Sequence, residues 1–88
     1  MRYEVMVEVR LRPGIADPAG ATIERALPAL GFTGIEAMSV GKSFRFTVDA
    51  GSEDEAGARA EDLAVKLLGN PVIEDAFVTV EVPESPPS

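Results

Sequence analysis

Three adjacent acid pairs, Glu53-Asp54, Glu61-Asp62 and Glu74-Asp75, are the side chains best equipped for acid/base work. Neighbouring residues diverge on a helix or a strand, so spacing alone does not bring any pair into a shared-proton dyad. The first pair suits a helix N-terminus and the second a solvated helix face. The third closes the string Leu67-Leu68-Gly69-Asn70-Pro71-Val72-Ile73-Glu74-Asp75, which combines a helix stop, a turn signal, two apolar residues and two carboxylates. For Glu74-Asp75 a solvated turn and a contact with a partner both stand open.

Other chemistries fare worse. Val40-Gly41-Lys42-Ser43 looks like the end of a phosphate-binding loop. Such a loop needs a glycine where Glu36 stands and a helix where Phe44-Arg45-Phe46-Thr47-Val48 reads as strand. A bend at Gly41 with a solvated Lys42 is the plainer reading. The chain has no His and no Cys. That removes the usual base for a serine nucleophile, thiolate zinc sites and disulfides. Any metal would need oxygen ligands. No catalytic residue and no metal ligand is assigned.

The 88 residues suffice for one small domain, and a hydrophobic content of 45% places it among globular chains. A core of this size stabilises only marginally, so self-association is the expected help. The net charge of −7 repels phosphate backbones and argues against nucleic acid as a partner. No apolar run reaches membrane-spanning length, and Met1-Arg2-Tyr3-Glu4 lacks the apolar core of a signal peptide. A cytoplasmic location is expected.

The elements that must position these residues read as follows. Residues 3–11 alternate, with Tyr3, Val5, Val7, Val9 and Leu11 on one face of a half-buried strand. Asp17-Pro18 opens a helix whose stripe is Ile23, Ala26, Leu27 and Leu30, with Gly31 as its stop. Pro28 predicts a kink or a tightened last turn. From Met38 to Ala50 every even position except Lys42 is apolar. A single strand over 35–50 would run roughly 50 Å, more than a domain about 30 Å across can cover. Two readings remain: a long strand bent at Gly41 whose overhang pairs with another subunit, or a hairpin at Gly41-Lys42. The pattern slightly favours the bent strand.

Ser52-Glu53-Asp54-Glu55 is a capping box. It opens a helix with the stripe Ala56, Ala60, Leu63, Ala64 and Leu67, stopped by Gly69 and Pro71. A last strand over 76–82 sets Val78, Val80 and Val82 on one face. The expected fold is an α+β two-layer sandwich, a mainly antiparallel sheet with two helices on one face. It has three strands with a long bent one, or a ferredoxin-like βαββαβ order if the hairpin forms. Residues 1–82 form the domain and 83–88 a mobile Pro-rich tail.

Four short motifs carry a resemblance: Asp17-Pro18-x-Gly20, Ala26-Leu27-x-x-Leu30-Gly31-Phe32, Val40-Gly41-Lys42-x-Phe44, and Leu67-Leu68-x-Asn70-Pro71-Val72-Ile73-Glu74-Asp75. In this order and spacing, over about residues 2–82, the chain resembles the PurS family, the small subunit of phosphoribosylformylglycinamidine synthase. Pro28 and the Pro-rich tail depart from the family pattern. The resemblance implies a non-catalytic subunit of an ATP-dependent glutamine amidotransferase of purine biosynthesis. It would be a dimer or tetramer bridging the glutaminase PurQ and the synthetase PurL and assisting ammonia transfer. ATP and Mg would be used by the large subunit, with no cofactor bound by this chain. Subunit-contact candidates are Gly41, Lys42, Asn70, Glu74 and Asp75. The alternative is a ferredoxin-like regulatory dimer that binds a small molecule.

Overall fold

The structure, a computed structural model, describes residues 1–81. The expected tail, 83–88, and Val82 lie outside them. Three antiparallel strands, β1 (Arg2–Leu11), β2 (Lys42–Asp49) and β3 (Glu74–Glu81), form one sheet in the order β2-β1-β3. Helices α1 (Pro18–Ala26) and α2 (Glu53–Leu63) complete the α+β fold. None of the described helices is long and apolar enough to cross a membrane.

The alternation of β1 sets the core. Tyr3, Val5, Val7 and Val9 are buried on one face. The register places Val48, Phe46 and Phe44 of β2 beside Tyr3, Val5 and Val7, and Val80 and Val78 of β3 beside Val5 and Val7. The other face carries Glu4, Glu8, Arg10, Arg45 and Thr79, and there the Arg10 guanidinium lies 4.5 Å from the Phe77 ring centroid. That spacing is within cation–π range.

Helix α2 packs across β1 and β3 through Ala56 and Ala60, and Ala64, the next residue on the same face, is buried with them. Small side chains let a helix lie close to a sheet. Its cap forms as expected: Ser52 Oγ accepts the Glu55 amide at 3.1 Å. The reciprocal arm reaches one residue further back, with Glu55 Oε2 accepting the Gly51 amide at 3.0 Å. At the C-terminus the helix widens into a π-helical turn, Ala64–Leu68, closed by the Gly69 amide donating to the Ala64 carbonyl at 2.9 Å. The extra residue in that turn shifts the stripe by one position. Leu68 packs against the core, whereas the expected Leu67 is 75% exposed.

One expectation is corrected. The 35–50 stretch is neither one long bent strand nor a hairpin. Strand β2 begins only at Lys42, the sheet's central strand is β1, and residues 35–41 take irregular backbone with Ala37 at φ 58°. The reason lies in α1, whose carboxylates take the backbone donors of this segment. Glu24 Oε1 accepts the Met38 amide at 2.8 Å, and Asp17 Oδ2 accepts the Val40 amide at 2.9 Å. The four-stranded order behind the ferredoxin-like alternative is therefore not formed.

The two helices of the layer contact the sheet unequally. In the single chain α2 packs on the sheet, while α1 packs mainly on its own continuation, a 3-10 turn at Pro28–Leu30. Pro28 has no N–H to continue the α-helical ladder, and the last turn tightens as expected. The stripe of α1 is left largely uncovered, and Ile23, Leu30, Phe32 and Ile35 stay exposed.

Candidate functional site

The turn between α2 and β3 is built by three side chains. Asn70 Oδ1 accepts the Val72 amide at 3.0 Å, an Asx-type closure of the turn. Glu74 Oε1 accepts the Asn70 amide at 2.6 Å. Arg12, from the end of β1, donates to the Pro71 carbonyl at 2.6 Å and pairs with Asp75 at 3.2 Å. Its own amide donates to the Ile73 carbonyl at 2.8 Å.

Lys42 enters the same cluster from β2. Its Nζ donates to the Leu68 carbonyl at 3.3 Å, at the C-terminal end of the π-helical turn, and faces Glu74 Oε2 at 3.7 Å. A cation is favoured there because the helix terminus presents unpaired carbonyls. Gly41 precedes it where a side chain would not fit: an added Cβ would lie 2.8 Å from the Val9 carbonyl oxygen. The structure thus gathers all five expected contact residues, Gly41, Lys42, Asn70, Glu74 and Asp75, at one end of the sheet. They come from two segments about thirty residues apart, joined across β1 by the antiparallel register.

They do not play one role. The Glu74 side chain is only 14% exposed, while those of Lys42 and Asp75 are 54% and 47% exposed. Glu74 holds the turn, and Lys42, Asn70 and Asp75 are the groups available at the surface. Arg12 is the residue that sequence reasoning missed. It stood in Arg12-Pro13-Gly14, read only as the end of a strand, and its partners lie some sixty positions away.

Beside the cluster is a groove of about 270 Å³. Ala64, Val65 and Pro71 form its apolar wall, and Glu61, Glu74 and Asp75 supply its carboxylates, with Arg12 between. Among the described residues no group of three or more His, Cys, Asp or Glu side chains is arranged to hold a metal ion. What the site offers is a shaped, charged surface at the end of a sheet.

Comparison with known proteins identifies that surface's setting. Residues 4–82 match the family profile described as PurS, phosphoribosylformylglycinamidine (FGAM) synthase. The chain is 42% identical over 76 residues to the PurS subunit of that synthase from Mycobacterium leprae, spanning 86% of this chain and 92% of the relative. A crystal structure of Methanocaldococcus jannaschii PurS superposes with a TM-score of 0.83 at 34% identity, covering 93% of this chain and 99% of the other. A chain of the structure described as PurLQS from Thermotoga maritima also gives 0.83, at 28% identity, covering 92% and 99%. With the three-stranded sheet, the two helices and the Asn-Pro-Val-Ile-Glu-Asp turn falling within the matched span, the chain belongs to the PurS family of phosphoribosylformylglycinamidine synthase subunits.

Proposed function

We propose that this chain is the non-catalytic bridging subunit of a phosphoribosylformylglycinamidine synthase. It holds the glutaminase PurQ against the synthetase PurL, assists the passage of ammonia between them, and acts in the cytoplasm as a dimer or larger assembly of itself. The observation that carries this reading is the match over nearly the whole chain to PurS, including a relative whose structure is described as PurLQS. The sequence is consistent with it: without His or Cys the chain lacks the usual acid/base and thiol equipment. In this reading ATP and Mg are bound by the large subunit.

The test is reconstitution with PurL and PurQ. Glutamine-dependent synthesis is expected to require this chain, and ammonia-dependent synthesis by PurL to require it much less. Glutamine-dependent activity that is unchanged when the chain is omitted would overturn the reading.

A further inference from the structure

We infer that residues 17–40 move as one rigid arm, closed on itself by the carboxylates of Asp17 and Glu24, which pivots on the sheet where the chain crosses at 12–16 and at Gly41. Three features point to such an arm.

The first is that the segment bonds to itself. Among the described residues its hydrogen bonds all close within 17–40. Asp17 Oδ1 accepts the Gly20 amide at 2.9 Å and its Oδ2 the Val40 amide at 2.9 Å, which ties the two ends together. Glu24 Oε1 accepts the Met38 amide at 2.8 Å, which ties the middle of α1 to the returning chain. Thr22, Arg25 and the 3-10 turn find their partners in the segment too. Hydrogen bonds to an ionised acceptor belong to the stronger class. The second is an interior of its own. Gly20 is the only buried residue of 17–40, and the Met38 carbonyl and the Asp17 carboxylate lie against it. Asp17, Glu24, Leu27 and Met38 are half-buried, and the rest of the segment is exposed. Because α1 packs mainly on its own continuation, little apolar area fixes the arm to the sheet. Elements with few buried contacts to their neighbours move at low free energy. The third is the attachment. Lys42 pairs with Val9 in the register, so both chain crossings leave the same end of the sheet. Two adjacent crossings define one axis and leave rotation about it free. Gly14, at φ 86° with open space around it, stands in the first crossing, and Gly41 is the second. A few such positions can absorb the dihedral change of a hinge. The arm carries Ile23, Leu30 and Phe32, all exposed, so the apolar stripe is presented as a unit at an adjustable angle.

The chain has no Cys, so spin labels on introduced cysteines report defined pairs. Pulsed electron–electron resonance is measured on the full chain carrying Leu30→Asp, a charge on the exposed stripe that keeps other copies off the arm. The pair Ala19→Cys and Glu36→Cys lies within the arm, and the pair Glu36→Cys and Ala58→Cys spans arm and α2. The distance distribution of the spanning pair is expected to be at least twice as wide as that of the pair within the arm. Adding Glu24→Ala is expected to widen the inner pair. Equally narrow distributions overturn the pivot, and equally wide ones overturn the rigid body. An inner pair unmoved by Glu24→Ala overturns the role of the carboxylate clip. Native-state hydrogen exchange on the wild-type chain gives a second reading. The α1, Met38 and Val40 amides are expected to share one opening free energy below that of the β1 amides. A Val40 amide that opens only together with β1 overturns the inference.

Discussion

The carboxylate at position 74 accepts the Asn70 amide and faces Lys42, while the one at position 75 shares Arg12 with solvent. Their consequences for stability therefore differ. Glu74→Ala removes a charged acceptor from the exposed Asn70 amide and the group facing Lys42, and is expected to cost about 1–2 kcal/mol. Asp75→Ala removes a half-exposed ion pair and is expected to cost under about 1 kcal/mol. Urea denaturation with an unchanged m-value checks this, and equal costs would contradict the assigned roles. A charge reversal meant to probe contact alone belongs at Asp75, because at Glu74 it also disturbs the turn. A different carboxylate, Asp17, yields a pH prediction. The Gly20 amide, and after it the Val40 amide, hold its pKa below the ordinary value. A folded pKa below the unfolded one, about 3.9, lends stability that is complete above the unfolded value and is lost as pH falls through the folded one. The Val40 amide resonance is accordingly expected to titrate with a midpoint below about 3.9, and Asp17→Asn to abolish that step. A midpoint at the ordinary aspartate value would sink the assignment.

At the scale of elements, the sequence was most readable where side-chain period and backbone agree. The alternation of β1, the Ser52 cap and the Pro28 tightening all appear because each depends on residues within a few positions. The same alternation misled at 35–41. An apolar–polar period in the side chains does not say whether the backbone donors meet a strand or, as here, the carboxylates of Asp17 and Glu24. The π-helical turn was likewise invisible, since moving Leu68 inward in place of Leu67 depends on how α2 meets Val9 and the sheet. Site legibility divides the same way: the turn residues were identified by their own string, whereas Arg12 joins them only through tertiary pairing. The clip between α1 and 38–40 gives a prediction at this scale. A Cβ on Gly20 would collide with the Met38 carbonyl oxygen and stand 3.0 Å from an Asp17 carboxylate oxygen. Gly20→Ala therefore cannot keep the clip closed. It is expected to destabilise by about 1–3 kcal/mol and to lower hydrogen-exchange protection at Met38 and Val40 while the β1 amides stay protected. Undiminished protection at Val40 would show that the contact is not tight.

The chain is more open than a compact domain of its length. Its radius of gyration is 17.1 Å and its extents are 50 × 37 × 15 Å, against a radius near 12 Å for a compact chain of this length. The thin dimension is one sheet with one helix on it. Two apolar surfaces are left over: the α1 stripe with Ile23 and Leu30, and the half-buried Phe44, Phe46 and Val48 of β2 on the helix face. Exposed apolar area of this kind marks an interaction surface. The two are complementary: a helix lacking a sheet and a strand lacking a helix. Seating the α1 stripe of one copy over β2 of another would complete a two-helix layer on each sheet. The interface would be used twice, which a two-fold dimer requires. Sedimentation at micromolar concentration is expected to find a dimer or larger species. Leu30→Asp is expected to shift it toward monomer, because a charge at the centre of an apolar contact loses its hydration without gaining a partner. Leu30 is 70% exposed in the single chain, so that variant should keep the circular dichroism of the wild type. A wild-type monomer at this concentration would leave both apolar surfaces bare and refute the arrangement. A Leu30→Asp chain that still assembles would place the contact elsewhere, on the free edge of β2 or β3, where unpaired backbone groups can add a strand.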